Sequence, residues 1–186
     1  MKILILNGSP RRGGNTEKHI EAFRKGAESS GHDVEVIPAG NMLIRPCQAC
    51  EYCHRGGQGK CRIDDNMISI YPSLKKAEMV VFASPVHYWG LSGQLQALIS
   101  RIYCWHKLPA GKYALILSSG SPDVYEGIIS QYRHMVKYFE GKDEGILTIS
   151  GKDNRTEETL EQMYNFGKSL TDPEEDSRNI GTGSRE

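Results

Sequence analysis

Short apolar runs recur along the chain at intervals that suit alternating strands and helices. Lys2–Leu6, Asp33–Ile37, Met79–Ala83, Tyr113–Ser118 and Gly145–Ile149 are compact, largely continuous runs, the pattern expected of strands covered on both faces. Between them the apolar period lengthens to that of a helix. Thr16–Ser29 places Ile20, Phe23 and Ala27 on one side, with Asn15 or Thr16 expected as the N-cap. Asp65–Lys76 does the same with Met67, Ile70, Tyr71 and Leu74, and Ser92–Tyr103 with Leu95, Leu98, Ile99 and Ile102. Helices over Asp123–Phe139 and Arg155–Leu170 complete the series. Five strands alternating with five helices predict an α/β fold, a doubly wound five-stranded parallel sheet in the order 2-1-3-4-5. In such a sheet the ligand lies beyond the carboxyl ends of strands 1 and 3, where the winding reverses.

Between strand 2 and the second helix the period disappears. Residues 41–64 are rich in Gly, Cys and charge and are expected to form an insertion with little regular structure. Residues 1–170 therefore make one domain carrying this insertion, and the polar residues 171–186 are expected to be a tail or docking arm. The 186 residues suffice for a core without disulfide staples. Lys plus Arg equals Asp plus Glu, 23 each, so the formal net charge is zero. This gives no reason to expect a nucleic acid or an anionic membrane as partner, and it counts mildly against a small acidic electron shuttle. The N-terminus shows no basic-then-apolar leader and no run reaches the roughly 18 apolar residues of a membrane span, so a cytoplasmic location is expected.

Two loops at predicted strand ends carry candidate chemistry. The first, Gly8-Ser-Pro-Arg-Arg-Gly-Gly-Asn-Thr16, runs from strand 1 into a helix. Ser9 offers a hydroxyl, Gly13, Gly14, Asn15 and Thr16 offer backbone N–H groups at a helix start, and Arg11 or Arg12 adds charge, which together make an anion site. A Walker loop needs Lys-Ser/Thr after its second Gly, but Gly14-Asn15 follows Gly13; the dinucleotide fingerprint needs Gly where Pro10 stands. The phosphate of FMN is favoured over ATP or a Rossmann-bound NAD. The second loop, Ser84-Pro-Val-His-Tyr-Trp-Gly90, follows strand 3 and should lie beside the first. Pro85, Val86, Tyr88, Trp89 and Gly90 suit a planar ring system, with Tyr88 and Trp89 equally readable as core or interface aromatics. His87 is expected to be a polar neighbour only. Ser119 and Gly120, after strand 4, form a weaker third element of the site.

Four cysteines, Cys47, Cys50, Cys53 and Cys61, fall within the insertion, the first three spaced two residues apart and the last after a gap of seven. Three readings of this set stand side by side. Four thiolates on one turned segment can hold an iron–sulfur cube. They can hold structural zinc, with His54 as a substitute ligand, although zinc ribbons use two separated C-x2-C pairs. They can also be free or redox-active thiols. Cys104 stands apart and is expected to be an ordinary buried thiol.

Taken together, Gly8-Ser-Pro-Arg…Gly-Asn-Thr16, Asp64-Asp65, Ala83-Ser-Pro-Val86, Gly90-Leu-Ser-Gly-Gln94 and Arg101 resemble the NADPH-dependent FMN reductase group of the flavodoxin-like superfamily, over roughly residues 1–150. Within that group the cysteine spacing resembles the iron–sulfur flavoproteins. The resemblance implies a flavodoxin-like fold, FMN, a [4Fe–4S] cluster on Cys47, Cys50, Cys53 and Cys61, and a homodimer or homotetramer. It implies an oxidoreductase that takes electrons from NAD(P)H or a ferredoxin-like donor and reduces a flavin, a quinone or another small acceptor, with no general acid or base assigned. A non-enzymatic electron carrier and a zinc or thiol redox-sensing module are the alternatives from other functional classes.

Overall fold

A computed structural model describes residues 1–172; the expected tail at 171–186 lies almost wholly outside the described residues. The strands are β1 (Lys2–Asn7), β2 (Asp33–Ile37), β3 (Met79–His87), β4 (Gly90–Leu91), β5 (Lys112–Ser119) and β6 (Lys142–Ser150). The helices are α1 (Asn15–Ser29), α2 (Met67–Lys76), α3 (Gly93–Arg101), α4 (Glu126–Tyr138) and α5 (Glu157–Lys168), with short 3-10 turns between them. The parallel sheet runs β2-β1-β3-β5-β6, which is the expected flavodoxin-like order; β4 is a two-residue arm folded back antiparallel on β3. Among the described residues no helix is long and apolar enough to cross a membrane.

Strand alternation divides the core in two. Leu4, Leu6, Val80, Phe82, Leu115 and Leu117 point to one face and pack with α2, α3 and α4. Ile3, Ile5, Met79, Val81, Ala114 and Ile116 point to the other and pack with α1 and α5. Every one of these strand residues is 1% exposed or less, so β1, β3 and β5 are sandwiched between helical layers. The α1–α5 layer is unusually tight. A Cβ on Gly26 would sit 1.9 Å from the carbonyl oxygen of Tyr164, and one on Gly167 would sit 2.1 Å from that of Phe23. The two glycines let the helix backbones touch, and Phe23 and Phe166 meet edge to face beside them at 5.4 Å.

The element boundaries depart from expectation in physically simple ways. The N-cap of α1 is Gly14, not Asn15 or Thr16, and no side chain caps the helix. Helix α4 begins at Glu126 rather than Asp123, because the chain bends over residues 121–123 and is irregular over 124–125 before the helix starts. β3 extends past Ala83 to His87, where it meets β4. Pro72 sits inside α2, tolerated with one helical hydrogen bond forgone. Replacing Gly26 by Ala should force α1 and α5 apart and cost about 1–3 kcal/mol of stability. Urea unfolding would measure this, and a midpoint unchanged from the parent protein would refute the close crossing.

Candidate functional site

The helix after β1 lies on one face of the sheet and the helix after β3 on the other, so a crevice opens between these strand ends. Its floor is held by short polar contacts. Gly8 N–H donates to the carbonyl of Ala83, joining the ends of β1 and β3. The buried Ser84 Oγ accepts from Ser92 N–H at 2.9 Å and donates to the Pro85 carbonyl, which folds the β4 arm back; Ser92 Oγ then caps α3 through Leu95 N–H. A Cβ on Gly8 would lie 2.6 Å from Ser92 Oγ and 2.8 Å from Leu95 Cβ, so only glycine lets this turn pass under α3.

Above that floor is a cavity of about 430 Å³. The sequence-predicted residues Ser9, Arg11, Asn15, Thr16, Pro85, Val86, Ser119 and Gly120 all line it. Gly13 adopts φ +66° and turns the loop into α1, whose first N–H groups are left without a side-chain cap. Ser9 Oγ lies 3.3 Å from the Arg11 N–H, and Asn7 Oδ1 accepts the Ser9 N–H at 2.9 Å, so the loop is tied on both sides of Ser9. Glu17 Oε2 accepts the Gly13 N–H. Thr16 Oγ1 and Ser118 Oγ share a 2.6 Å hydrogen bond that fixes the start of α1 to the end of β5. At the back of the loop Gly40 makes room: a Cβ there would be 2.3 Å from the Ser9 carbonyl.

A second cavity of about 440 Å³ is lined by Val86, Tyr88, Trp89, Ser119, Gly120 and residues 121–124, and it shares Val86, Ser119 and Gly120 with the first. Tyr88 and Trp89 form the tip of the β3–β4 hairpin, both with positive φ (50° and 62°), the geometry a two-residue primed turn requires. Two aromatics in a turn normally made by Asn-Gly carry backbone strain, on the order of 1–3 kcal/mol each. Contrary to the core alternative for these residues, Tyr88 is 94% and Trp89 61% exposed. Gly90 lines neither cavity; it closes the hairpin against His87. His87 itself lines the first cavity.

Lys18, Gly151 and Arg155 also line the first cavity and were not anticipated from the sequence. Arg155 Nε lies 3.4 Å from Asn15 Oδ1, linking the last strand's loop to the first. The signal for them was topological, since Gly151–Arg155 follows β6 at the same carboxyl edge. Asn154 secures this edge: its Nδ2 donates to the carbonyls of Ser119 and Gly151 at 2.8 and 2.9 Å. Its own carbonyl accepts from His19 Nε2, and burial lowers the His19 pKa, keeping that ring neutral.

The cysteine segment sits at the C-terminal end of α3. Cys53 is buried, Cys47 and Cys61 half-buried and Cys50 exposed, and all four are free thiols, as is the buried Cys104. Ala49 and Glu51, flanking Cys50, have φ of 50° and 57°, a tight and strained turn. Burial raises the Cys53 pKa, and charge on Cys61 and Cys47 raises it further. Cys47 Sγ accepts the Ala49 N–H at 3.4 Å. Among the described residues no three His, Cys, Asp or Glu side chains come together as a metal-holding group. The donor set suits an iron–sulfur cube or zinc in kind, while the fourfold convergence expected from the spacing is not made in this structure.

Comparison with known proteins places this geometry. An iron–sulfur flavoprotein of Methanosarcina thermophila is 38% identical over 101 residues, 54% of this chain and 52% of that protein. One from Archaeoglobus fulgidus is 32% identical over 130 residues, 69% of this chain and 56% of that protein. The chain thus spans about half the length of the curated relatives it matches. Among solved structures, an NAD(P)H:quinone oxidoreductase from Methanothermobacter marburgensis superposes with a TM-score of 0.69 at 18% identity, over 92% of this chain and 99% of that one, a likeness of fold. The family model for NADPH-dependent FMN reductase matches residues 1–164, the whole of the sheet and its crevice. With the crevice, the uncapped helix and the strand order all falling inside that match, the chain belongs to the NADPH-dependent FMN reductase family.

Proposed function

We propose that the chain is an FMN-dependent oxidoreductase that takes electrons from NAD(P)H or a ferredoxin-like protein and reduces a flavin, a quinone or another small acceptor. One observation carries this reading: a cationic, N–H-rich cavity at the start of α1 adjoins a flatter, aromatic cavity at the same carboxyl edge of the sheet. A phosphate suits the first and a planar ring suits the second. FMN, when bound, would supply the two-electron redox chemistry.

The chain's own residues bind and orient. Ser9 Oγ, the open N–H groups of Gly14, Asn15 and Thr16, and the guanidinium of Arg11 would hold the phosphate, with Arg12, Lys18 and Arg155 adding positive charge around it. The fit is tight at Gly14: a Cβ there would lie 3.2 Å from the Arg11 carbonyl and 3.8 Å from Ser9 Oγ, crowding the cradle. Pro85 and Val86, Ser119 and Gly120 would border the ring, and Tyr88 and Trp89 would cover its outer part. The Ser84–Ser92 bond steadies the first border, the Asn154 bridge steadies the second, and the β3–β5 pairing of Pro85 with Ser118 joins them. Such fixed placement, rather than an acid or base, is what the protein contributes.

Cys47, Cys50, Cys53 and Cys61 are the residues that would hold an iron–sulfur cluster, which would supply a one-electron centre. The support is the donor set and the likeness to proteins named for such a cluster. The proposed assembly is a homodimer or homotetramer.

Protein purified without oxygen should carry a flavin spectrum that NADPH or NADH bleaches, and Ser9→Asp should repel the phosphate and yield colourless protein. Retention of full flavin by Ser9→Asp would overturn the phosphate assignment. Cys50→Ala should remove iron and acid-labile sulfide, about four of each for a cube, while leaving flavin in place. Iron unchanged in that variant would exclude the four-thiolate model.

A further inference from the structure

We propose that Arg101 is the positioning residue of the cysteine segment, closing the loop at its base through protein contacts alone, before any metal is taken up. Arg101 ends α3, and its side chain and that of Asp65 are each 1% exposed. Its Nη1 donates to Asp65 Oδ2 at 2.7 Å and to the Arg45 carbonyl at 3.0 Å; its Nη2 donates to the Ile63 carbonyl at 3.2 Å. Arg45 and Ile63 are the two residues that bracket positions 46–62, so one guanidinium spans both ends of the segment that holds every predicted ligand.

The partner carboxylate completes the closure. Asp65 Oδ2 also accepts the Arg45 N–H at 2.9 Å, and Oδ1 accepts the Met67 N–H at 3.0 Å, tying the clamp to the first turn of α2. Next to it, Leu43 N–H donates to Asn66 Oδ1, Asn66 N–H to the Leu43 carbonyl, and Arg45 Nη2 to the Asp64 carbonyl. The same end of α3 grips the loop further out. Ser100 Oγ accepts the Cys47 N–H at 3.0 Å, His54 Nε2 donates to the Tyr103 carbonyl, and Tyr103 OH donates to Glu51 Oε1.

Arginine is the residue type this task needs. Two carbonyls and a carboxylate can only accept, and only a planar fork with five donors reaches all three at fixed angles; a lysine ammonium cannot span them. Burying a charged pair this fully contributes little to net stability, so its value lies in fixing register. The loop has costs that register must offset: Ala49, Glu51 and Gln58 are held at positive φ, and the ends of a long flexible segment must be kept together. A loop closed in this way would present its thiols to a metal with part of the ordering already done. The alternative is the zinc-finger pattern, in which the metal itself folds the segment.

The consequence for metal uptake rests on the reading of the four cysteines as ligands, whereas the closure itself does not, and the test separates the two. Hydrogen exchange of peptides covering residues 43–66 would be followed by mass spectrometry in metal-loaded protein and in reduced, chelator-treated protein. The parent protein, Arg101→Gln, Arg101→Lys and the double variant Arg101→Met/Asp65→Asn, which removes both charges together, would be compared, with bound flavin reporting that the sheet is intact. The metal-free parent should keep its protection to within about twofold, while Arg101→Gln and the double variant should exchange about tenfold faster or more in this segment only. Arg101→Lys should not restore protection. Loss of protection in the metal-free parent would show that the metal closes the loop and overturn the proposal. A flavin-bearing Arg101→Gln or double variant as protected as the parent would overturn it equally. If the variants lose flavin and fold together, the parent's two states decide alone. If the parent takes up neither iron nor zinc, the ligand reading fails and the exchange result still decides the clamp.

Discussion

The reversal of winding between β1 and β3 is the constraint from which the candidate site follows. The chain leaves β1 toward α1 on one face and leaves β3 toward α3 on the other. No covalent connection can then fill the space between the two strand ends. What the protein adds is a way of keeping that space open at a fixed width. Gly8 lets the first turn pass beneath α3, Ser84 and Ser92 fold the β4 arm back, and the Thr16–Ser118 bond anchors α1 on the far side. Each contact is between main chain or short side chains, so the crevice has little freedom to collapse.

The same edge collects the chemistry. Parallel strands all end there, and so the loops after β1, β3, β5 and β6 contribute a helix start, an aromatic hairpin, a serine–glycine turn and an arginine respectively. The cavity that results is polar and cationic near α1 and increasingly aromatic toward Trp89. That gradient matches a ligand with an anionic end and a flat end. It is the physical basis for assigning a phosphorylated flavin, independently of family likeness.

The sheet was legible in the sequence because strands buried on both faces appear as continuous apolar runs, and five such runs separated by helical periods leave few arrangements. The loop after β1, which lines the first cavity, was legible as a strand-to-helix turn because Gly8, Gly13 and Gly14 fall within seven residues between an apolar run and a helical period. Arg155 and Lys18 were not, since a single cation on an exposed surface carries no local signature and is brought to the cavity only by topology. Arg101 and Asp65 stood out only through the family resemblance, and their pairing was not legible, because they are 36 positions apart and no period links them. The helix crossing at Gly26 and Gly167 was equally silent, because a glycine in a helix reads as a weakness until its neighbour is known. Tyr88 and Trp89 look like buried aromatics in sequence because a primed turn normally uses Asn or Gly, and here strain replaces composition.

The central claim is that the crevice is built around a phosphate. Titrating flavin-free protein in parallel with FMN and with riboflavin, which differ only in that group, tests it most directly. Two or more charge-assisted hydrogen bonds to the phosphate predict that FMN binds about a hundredfold tighter or more, with the advantage shrinking as salt is raised. Equal affinities for the two flavins would contradict the account, because the helix start, Ser9 and the surrounding cations would then have no ligand to explain them.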